Sequence, residues 1–184
     1  IGKISNINIA TTGLPISKIG IGHTRWATTG RVADRNAHPF TDQSNQFAVV
    51  HNGIIENYLE LKEELRNEGI TFSSDTDSEV IVHLIAKNYS DNLKDAVLKT
   101  IKRLQGAYAF CVIKNDHEEI IGARNGSPLV VGVGKNENFL ASDVSALIEH
   151  TKEVIYINDF HIARIDSENI QVSNFNGEEE PIDI

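Results

Sequence analysis

The sequence predicts an α+β domain, with helices segregated from strands rather than alternating with them. Two observations carry that expectation. Three helical patterns fall together between about residues 56 and 104, and short β-like runs broken by Asn, Asp, Gly and Pro fill most of the chain after Gly106. Alternating βα units would interleave the two patterns and build a parallel sheet instead. At 184 residues the chain suits one domain and can bury a core without disulfide or metal staples.

Taken in order, residues 45–51 (NQFAVVH) read as a strand running into a turn at Asn52-Gly53, a pair that favours positive φ. A helix from about Glu56 to Glu68 follows, with Leu59, Leu61 and Leu65 apolar and Gly69 placed as a C-terminal stop. Thr76 and Glu79 then have the spacing of a capping box ahead of Val80, Ile81, Leu84 and Ile85. A third helix is expected over Leu93–Leu104, where apolar or small residues at 93, 96, 97, 101 and 104 form one stripe. Beyond Gly106, AYAFCVI, EIIGAR, LVVGVG and NFLAS read as strands, and Ser142 is placed to cap a short helix through about His150. VIYIN, FHIARID and IQVSNF complete the strand set. The last residues, GEEEPIDI, are acidic and contain Pro181, like the start of a linker, so the domain is drawn over 1–176 and the linker over 177–184.

Composition narrows the function classes. A formal net charge of −9 opposes nucleic-acid binding through a general electrostatic field, while leaving room for a local basic site. No apolar run approaches the roughly 20 residues that span a bilayer, so no membrane partner is expected. One cysteine excludes an intrachain disulfide and fits a reducing, cytoplasmic setting. The chain starts at Ile1 and contains no methionine, which points to a missing N-terminal piece.

Three segments are dense in chemistry. Residues 20–40 (GIGHTRWATTGRVADRNAHPF) hold Arg25, the only tryptophan, two histidines and several glycines without helical or alternating periodicity. Such loops often bind ligands, and a guanidinium suits a carboxylate because it forms two parallel hydrogen bonds. The alternative for Arg25 is a structural salt bridge. In HNGIIENY (51–58), a backbone N–H beside the Asn52 amide could stabilise an oxyanion, or the pair could be an ordinary turn. In SDTDSE (74–79), Asp77 could cap the helix or receive a ligand's ammonium group. The seven histidines show no HExxH or CxxC partner pattern, so no metal site is expected. Cys111 sits among Tyr108, Phe110, Val112 and Ile113, the setting of a buried, inert thiol.

Together these segments resemble one family, the glutaminase domain of glucosamine-6-phosphate synthase, a class II glutamine amidotransferase. The matching pieces are GHTRWAT (22–28), NAHP (36–39), HNGIIENY (51–58), TDSEV (76–80), GAYAF (106–110) and ARNGSPLVVG (123–132), spread from about residue 18 to about 145. The resemblance implies an N-terminal-nucleophile hydrolase fold: a four-layer αββα sandwich with antiparallel sheets, here lacking its N-terminal segment. It implies hydrolysis of glutamine to glutamate and ammonia by an N-terminal Cys whose α-amino group is the base, with no cofactor. A C-terminal isomerase domain would use the ammonia to turn fructose 6-phosphate into glucosamine 6-phosphate, in a homo-oligomeric enzyme.

Carried over by position, Asn52 (side chain) and Gly53 (backbone N–H) match the oxyanion hole. Arg25 and Thr28 match residues that hold the substrate α-carboxylate, Asp77 the acid that takes the α-ammonium, and Trp26 the gate for ammonia passage. Two departures stand out. Thr29 replaces the family's usual His, and the Cys-Gly-Ile start with its later Arg-Gly-Tyr-Asp-Ser stretch is absent, so the chain as written is expected to be inactive. Two other readings stay open: the related domain of amidophosphoribosyltransferase, and a non-catalytic relative that binds glutamine or glutamate.

Overall fold

The computed structural model describes residues 17–184, so Ile1 lies outside the described residues. The strands are β1 (Phe40–Thr41), β2 (Phe47–Ile55), β3 (Gly106–Lys114), β4 (Ile120–Asn125), β5 (Val130–Val133), β6 (Asn138–Ala141), β7 (Val154–Tyr156), β8 (His161–Ile165), β9 (Ile170–Asn174) and β10 (Glu179–Glu180). They pair antiparallel throughout, in a seven-stranded sheet of order β1-β2-β3-β4-β8-β9-β10 and a three-stranded sheet of order β6-β5-β7. The helices α1 (Tyr58–Asn67), α2 (Glu79–Asn88) and α3 (Leu93–Ile101) fall together between β2 and β3.

Two apolar clusters define the layers. In β3, Tyr108, Phe110 and Val112 point to one face and meet Leu61, Leu65, Ile81, Leu84, Ile85 and Leu93 from the helices. The alternate residues Ala109 and Cys111 point to the other face and meet Val131 and Ile155 of the small sheet and Leu129 just before it. This is the period-two alternation of a strand buried on both sides. Over the far face of the small sheet lies a 3-10 turn, Val144–Ala146, and its continuation; a Cβ on Gly132 would sit 3.1 Å from both Leu147 and Thr151. The result is helices, sheet, sheet, and a thin outer layer of turns.

Each helix is set by local chemistry. Helix α1 ends in a Schellman arrangement around Gly69 (φ +91°): Gly69 N–H donates to Arg66 O and Ile70 N–H to Leu65 O, both at 2.9 Å. Helix α2 is buried all round, touching α1, α3, β1 and β2, which explains its run of Val80, Ile81, Val82, Leu84 and Ile85. Asn92 caps α3, its Oδ1 accepting from Asp95 N–H at 3.1 Å.

Several expectations need correction. Asn52-Gly53 is not a turn: β2 runs on through Ile55, because Gly53 takes up its positive φ (+114°) inside the strand without reversing the chain. The capping box does not form. Helix α2 begins at Glu79, whose carboxylate reaches back to Ser73 and Ser74 rather than to Thr76. Asp143, not Ser142, caps the outer turn, by accepting from Ser145 N–H at 2.8 Å. The acidic tail assigned to a linker carries β10, where Glu179 and Glu180 pair with Ser173 and Val172.

Candidate functional site

The site grows from the open edge of β2. Strand β1 pairs with it only at Phe40↔Val49 and Thr41↔Ala48, leaving the edge from His51 to Ile55 without a strand neighbour among the described residues. Ile55 N–H points out of that edge to Asp77 Oδ2 at 2.8 Å. The two-residue alternation of a strand places the Gly53 N–H on the same side. Asn52 and Gly53 pair with Ala109 and Tyr108 in the adjacent strand, so both are fixed to the large sheet through β3.

Facing this edge is the segment before α2, held by a buried carboxylate. Glu79 accepts from the backbone N–H groups of Ser73 (2.8 Å) and Ser74 (2.7 Å) and from both hydroxyls (2.9 and 2.6 Å). Burial alone would raise its pKa. The His83 imidazole and the Ser74 and Ser73 donors outweigh it and hold the carboxyl at about 2. His83 Nε2 lies 3.6 Å from Glu79 Oε1, just beyond hydrogen-bond reach, so the serine donors carry most of this effect. The clamp fixes Asp77 and Ser78, only 2% and 4% exposed, against β2.

The loop before β1 closes the third side. Asn36, fully buried, donates to Arg31 O (3.0 Å) and accepts from Asp75 N–H (2.9 Å), stitching residues 31–36 to the clamp. Arg35 adds an exposed ion pair to Asp75 at 2.5 Å. Arg25 points inward but is occupied by its own loop. Its Nη2 donates to Thr29 O (2.7 Å) and Gly30 O (3.0 Å), and Nη1 to Arg31 O (3.3 Å). With both Nη2 hydrogens taken, neither fork of the guanidinium is free for two-point contact; Nε and one Nη1 hydrogen remain as single donors.

Three histidines not singled out from sequence converge here. His23 Nε2 lies 2.7 Å from Asn52 Oδ1, and the His23 and His38 rings touch with centroids 4.1 Å apart and planes tilted by 41°. Ser78 Oγ sits between His51 Nδ1 (2.8 Å) and His38 Nε2 (3.3 Å). Burial, reinforced by His23, His51 and Arg25, lowers His38 to about 3. Burial lowers His51 to about 4, with Asp77 opposing and His23 adding to the shift. Both rings are therefore neutral near pH 7. The signal available in the sequence was adjacency: each histidine lies within, or next to, a motif already marked.

A cavity of about 320 Å³ collects every residue carried over from the resemblance: Arg25, Trp26, Thr28, Asn52, Gly53 and Asp77. Its volume matches a small ligand. Trp26 stands at its mouth, 89% exposed. A second cavity of about 410 Å³ shares His23, Thr24, His51 and Asn52 and continues to Cys111, Pro128 and Leu140. The Cys111 thiol is pushed up to about 12 by burial. Among the described residues, no group of three or more His, Cys, Asp or Glu is placed to hold a metal ion, and no helix is long and apolar enough to cross a membrane.

A two-sheet sandwich in which a strand with one open edge presents an amide and a backbone N–H to a small cavity is the architecture of an N-terminal-nucleophile amidotransferase. The chain belongs to the glutamine amidotransferase domain family, whose pattern matches residues 23–149. It is 55% identical over 179 residues to the glutamine–fructose-6-phosphate aminotransferase (isomerizing) of Aquifex aeolicus, covering 96% of this chain and 30% of that protein. A protein of the same name from Thermus thermophilus is 48% identical over 177 residues, covering 96% and 29%. The chain thus spans about 30% of the length of these curated relatives. Among solved structures, the glutamine phosphoribosylpyrophosphate amidotransferase of B. subtilis, complexed with ADP and GMP, superposes with a TM-score of 0.71 at 30% identity, covering 83% of this chain and 34% of that one. A glutamine aminotransferase class-II domain protein from Silicibacter pomeroyi shares the fold at a TM-score of 0.55 and 17% identity.

Proposed function

We propose that the 320 Å³ cavity binds glutamine and supports hydrolysis of its side-chain amide to glutamate and ammonia, within an enzyme that passes the ammonia to fructose 6-phosphate and yields glucosamine 6-phosphate. The observation that carries this reading is the convergence of six residues from three distant segments on one small cavity. When a nucleophile attacks the side-chain carbonyl, charge develops on its oxygen. The Asn52 amide N–H and the Gly53 N–H are the donors for that charge, fixed in a rigid strand before the reaction begins. Asp77 keeps one carboxylate oxygen for the α-ammonium while the other holds Ile55 N–H. Arg25 and Thr28 take the α-carboxylate, and the Arg25 contact is a single-donor one unless a loop carbonyl lets go. Trp26 gates the exit of ammonia.

The nucleophile in this reading is the thiolate of an N-terminal cysteine, with its α-amino group as base. Neither Ile1 nor Cys111 can take that role: Ile1 has no thiol, and the Cys111 thiol is held protonated. The partners are a C-terminal isomerase domain and further copies of the chain, in the cytoplasm. A phosphoribosyl-transferring enzyme is the second reading, favoured only by the structural likeness at 30% identity, against 55% for the aminotransferase.

The test is a product assay on the natural full-length protein with glutamine and either fructose 6-phosphate or phosphoribosyl pyrophosphate. Glutamate and glucosamine 6-phosphate in equal amounts are expected with the first acceptor. Absence of glutamate under both conditions would sink the proposal, and amine transfer to the phosphoribosyl acceptor would select the second reading.

A further inference from the structure

Asn52 can serve an oxyanion only if its NH2 group, not its carbonyl, faces the cavity. An amide on an open strand edge can turn over, so something must set its orientation. His23 Nε2 lies 2.7 Å from Asn52 Oδ1. A carbonyl oxygen only accepts, so Nε2 carries the proton and donates. His23 Nδ1 is buried and has no hydrogen-bond partner. In the neutral ring it is the bare nitrogen, which suits an atom with no acceptor beside it. The inverted amide would need a bare Nε2 and a proton on Nδ1, leaving a buried donor unsatisfied. The His38 ring, packed against it with centroids 4.1 Å apart, and the link from Ser78 to His38 and His51 hold the imidazole in place.

We propose that His23 is a positioning residue that locks the Asn52 amide with its NH2 group toward the substrate carbonyl, through a single Nε2–H to Oδ1 hydrogen bond. The inference rests on the glutamine-hydrolysis reading above. His23 also lines both cavities beside Asn52, together with Thr24 and His51. His23 acts on the reaction only by way of the amide, and that separates it from a residue that merely supports the loop.

The test uses steady-state glutaminase kinetics of the natural full-length protein, with thermal melts of each variant. His23→Asn is too short to reach Oδ1 and should lower kcat about tenfold while changing the KM for glutamine less than about twofold, because a transition-state donor is lost and ground-state contacts remain. His23→Gln places an N–H near the former Nε2 and should recover most of kcat. In an Asn52→Ala background, His23→Asn should cost less than about twofold further, since its target is gone. Equal losses in both backgrounds, or no rescue by Gln, would overturn the inference. A wild type that releases no glutamate would overturn the functional reading and this inference with it. An impaired Asn52→Ala beside a fully active, folded His23→Asn would overturn this inference alone. The tautomer gives a check independent of turnover: 15N imidazole shifts should report protonation at Nε2 in the parent. A proton on Nδ1 instead would also overturn it.

Discussion

Gly53→Ala is the sharpest test of how the site is built into the sheet. An added Cβ would lie 2.1 Å from Ala107 O, 2.8 Å from Tyr108 Cα and 2.9 Å from Ala107 C, all backbone atoms of the neighbouring strand. Nothing there is a flexible side chain that can swing aside. The residue also sits at φ +114°, which costs an L-residue about 1–2 kcal/mol. Forcing an extra methyl into a packed region adds about 1–3 kcal/mol. The sum, about 2–5 kcal/mol, corresponds to a fall in Tm of roughly 4–20 °C at this chain length. Gly69→Ala is the internal control, with a positive φ of +91° but nothing within 4 Å of its Cβ. It should lose only the backbone part, about 1–2 kcal/mol, or roughly 2–8 °C. Scanning calorimetry of the two variants and the parent separates close approach from backbone strain. If both variants melt within about 2 °C of each other, the steric argument for Gly53 is wrong.

Further outcomes are expected in the full-length protein. Asn52→Ala should lower kcat by roughly 10²–10³ with little change in KM; a loss below about threefold would leave Asn52 a purely structural strand residue. Arg25→Ala and Asp77→Asn should each weaken glutamate binding by roughly 10- to 150-fold, as lost charge-assisted contacts cost about 1.5–3 kcal/mol. Calorimetric titration of variants shown by melts to be folded checks this, and parent-like affinity would remove the zwitterion clamp. Stability should fall in acid in two stages. His51 is neutral when folded, with its pKa lowered from 6.5 to about 4, so its contribution is complete above pH 6.5 and lost as pH falls toward 4. Glu79 is lowered from 4.5 to about 2, so its part is complete above pH 4.5 and lost as pH falls toward 2. A melt series from pH 7 to pH 2.5 should become shallower in the upper window for His51→Gln, with His38, lowered to about 3, supplying the slope that remains, and shallower in the lower one for Glu79→Gln; unchanged profiles would refute the assignments.

Local patterns were legible where a single element decides them. The apolar stripes of the three helices, the Gly69 stop and the alternation around Cys111 each depend on spacing alone. Errors arose where a residue answers to a neighbour far along the chain. Asn52-Gly53 has the composition of a turn, and its positive φ is real, but the backbone of Ala107 and Tyr108 keeps it in the strand. Glu79 has the spacing of a capping box, yet the serines at 73 and 74 compete for its carboxylate and win with four donors. The site residues were named through a resemblance of motifs; the histidine cluster was not, because His23 and Asn52 are 29 residues apart and nothing local links them. The self-binding of Arg25 to carbonyls of its own loop was equally invisible, since a guanidinium's partner depends on where the backbone turns.

The open edge of β2 divides the cavity into two kinds of ground. Asn52 and Gly53 belong to a nine-residue strand with apolar clusters on both of its sheet's faces, whereas Arg25, Trp26 and Thr28 belong to an irregular stretch with no strand pairing of its own. In hydrogen–deuterium exchange, the amides of Val50, Asn52 and Ile54, which face β3, should therefore exchange only through global opening, and those of 22–30 through small local openings. Chemical competence and ligand grip then have separate thermodynamic reservoirs. Changes in the loop can retune affinity for the amino-acid end of a ligand, as at Thr29, while the donors that face the reacting carbonyl stay anchored to the most slowly exchanging part of the domain.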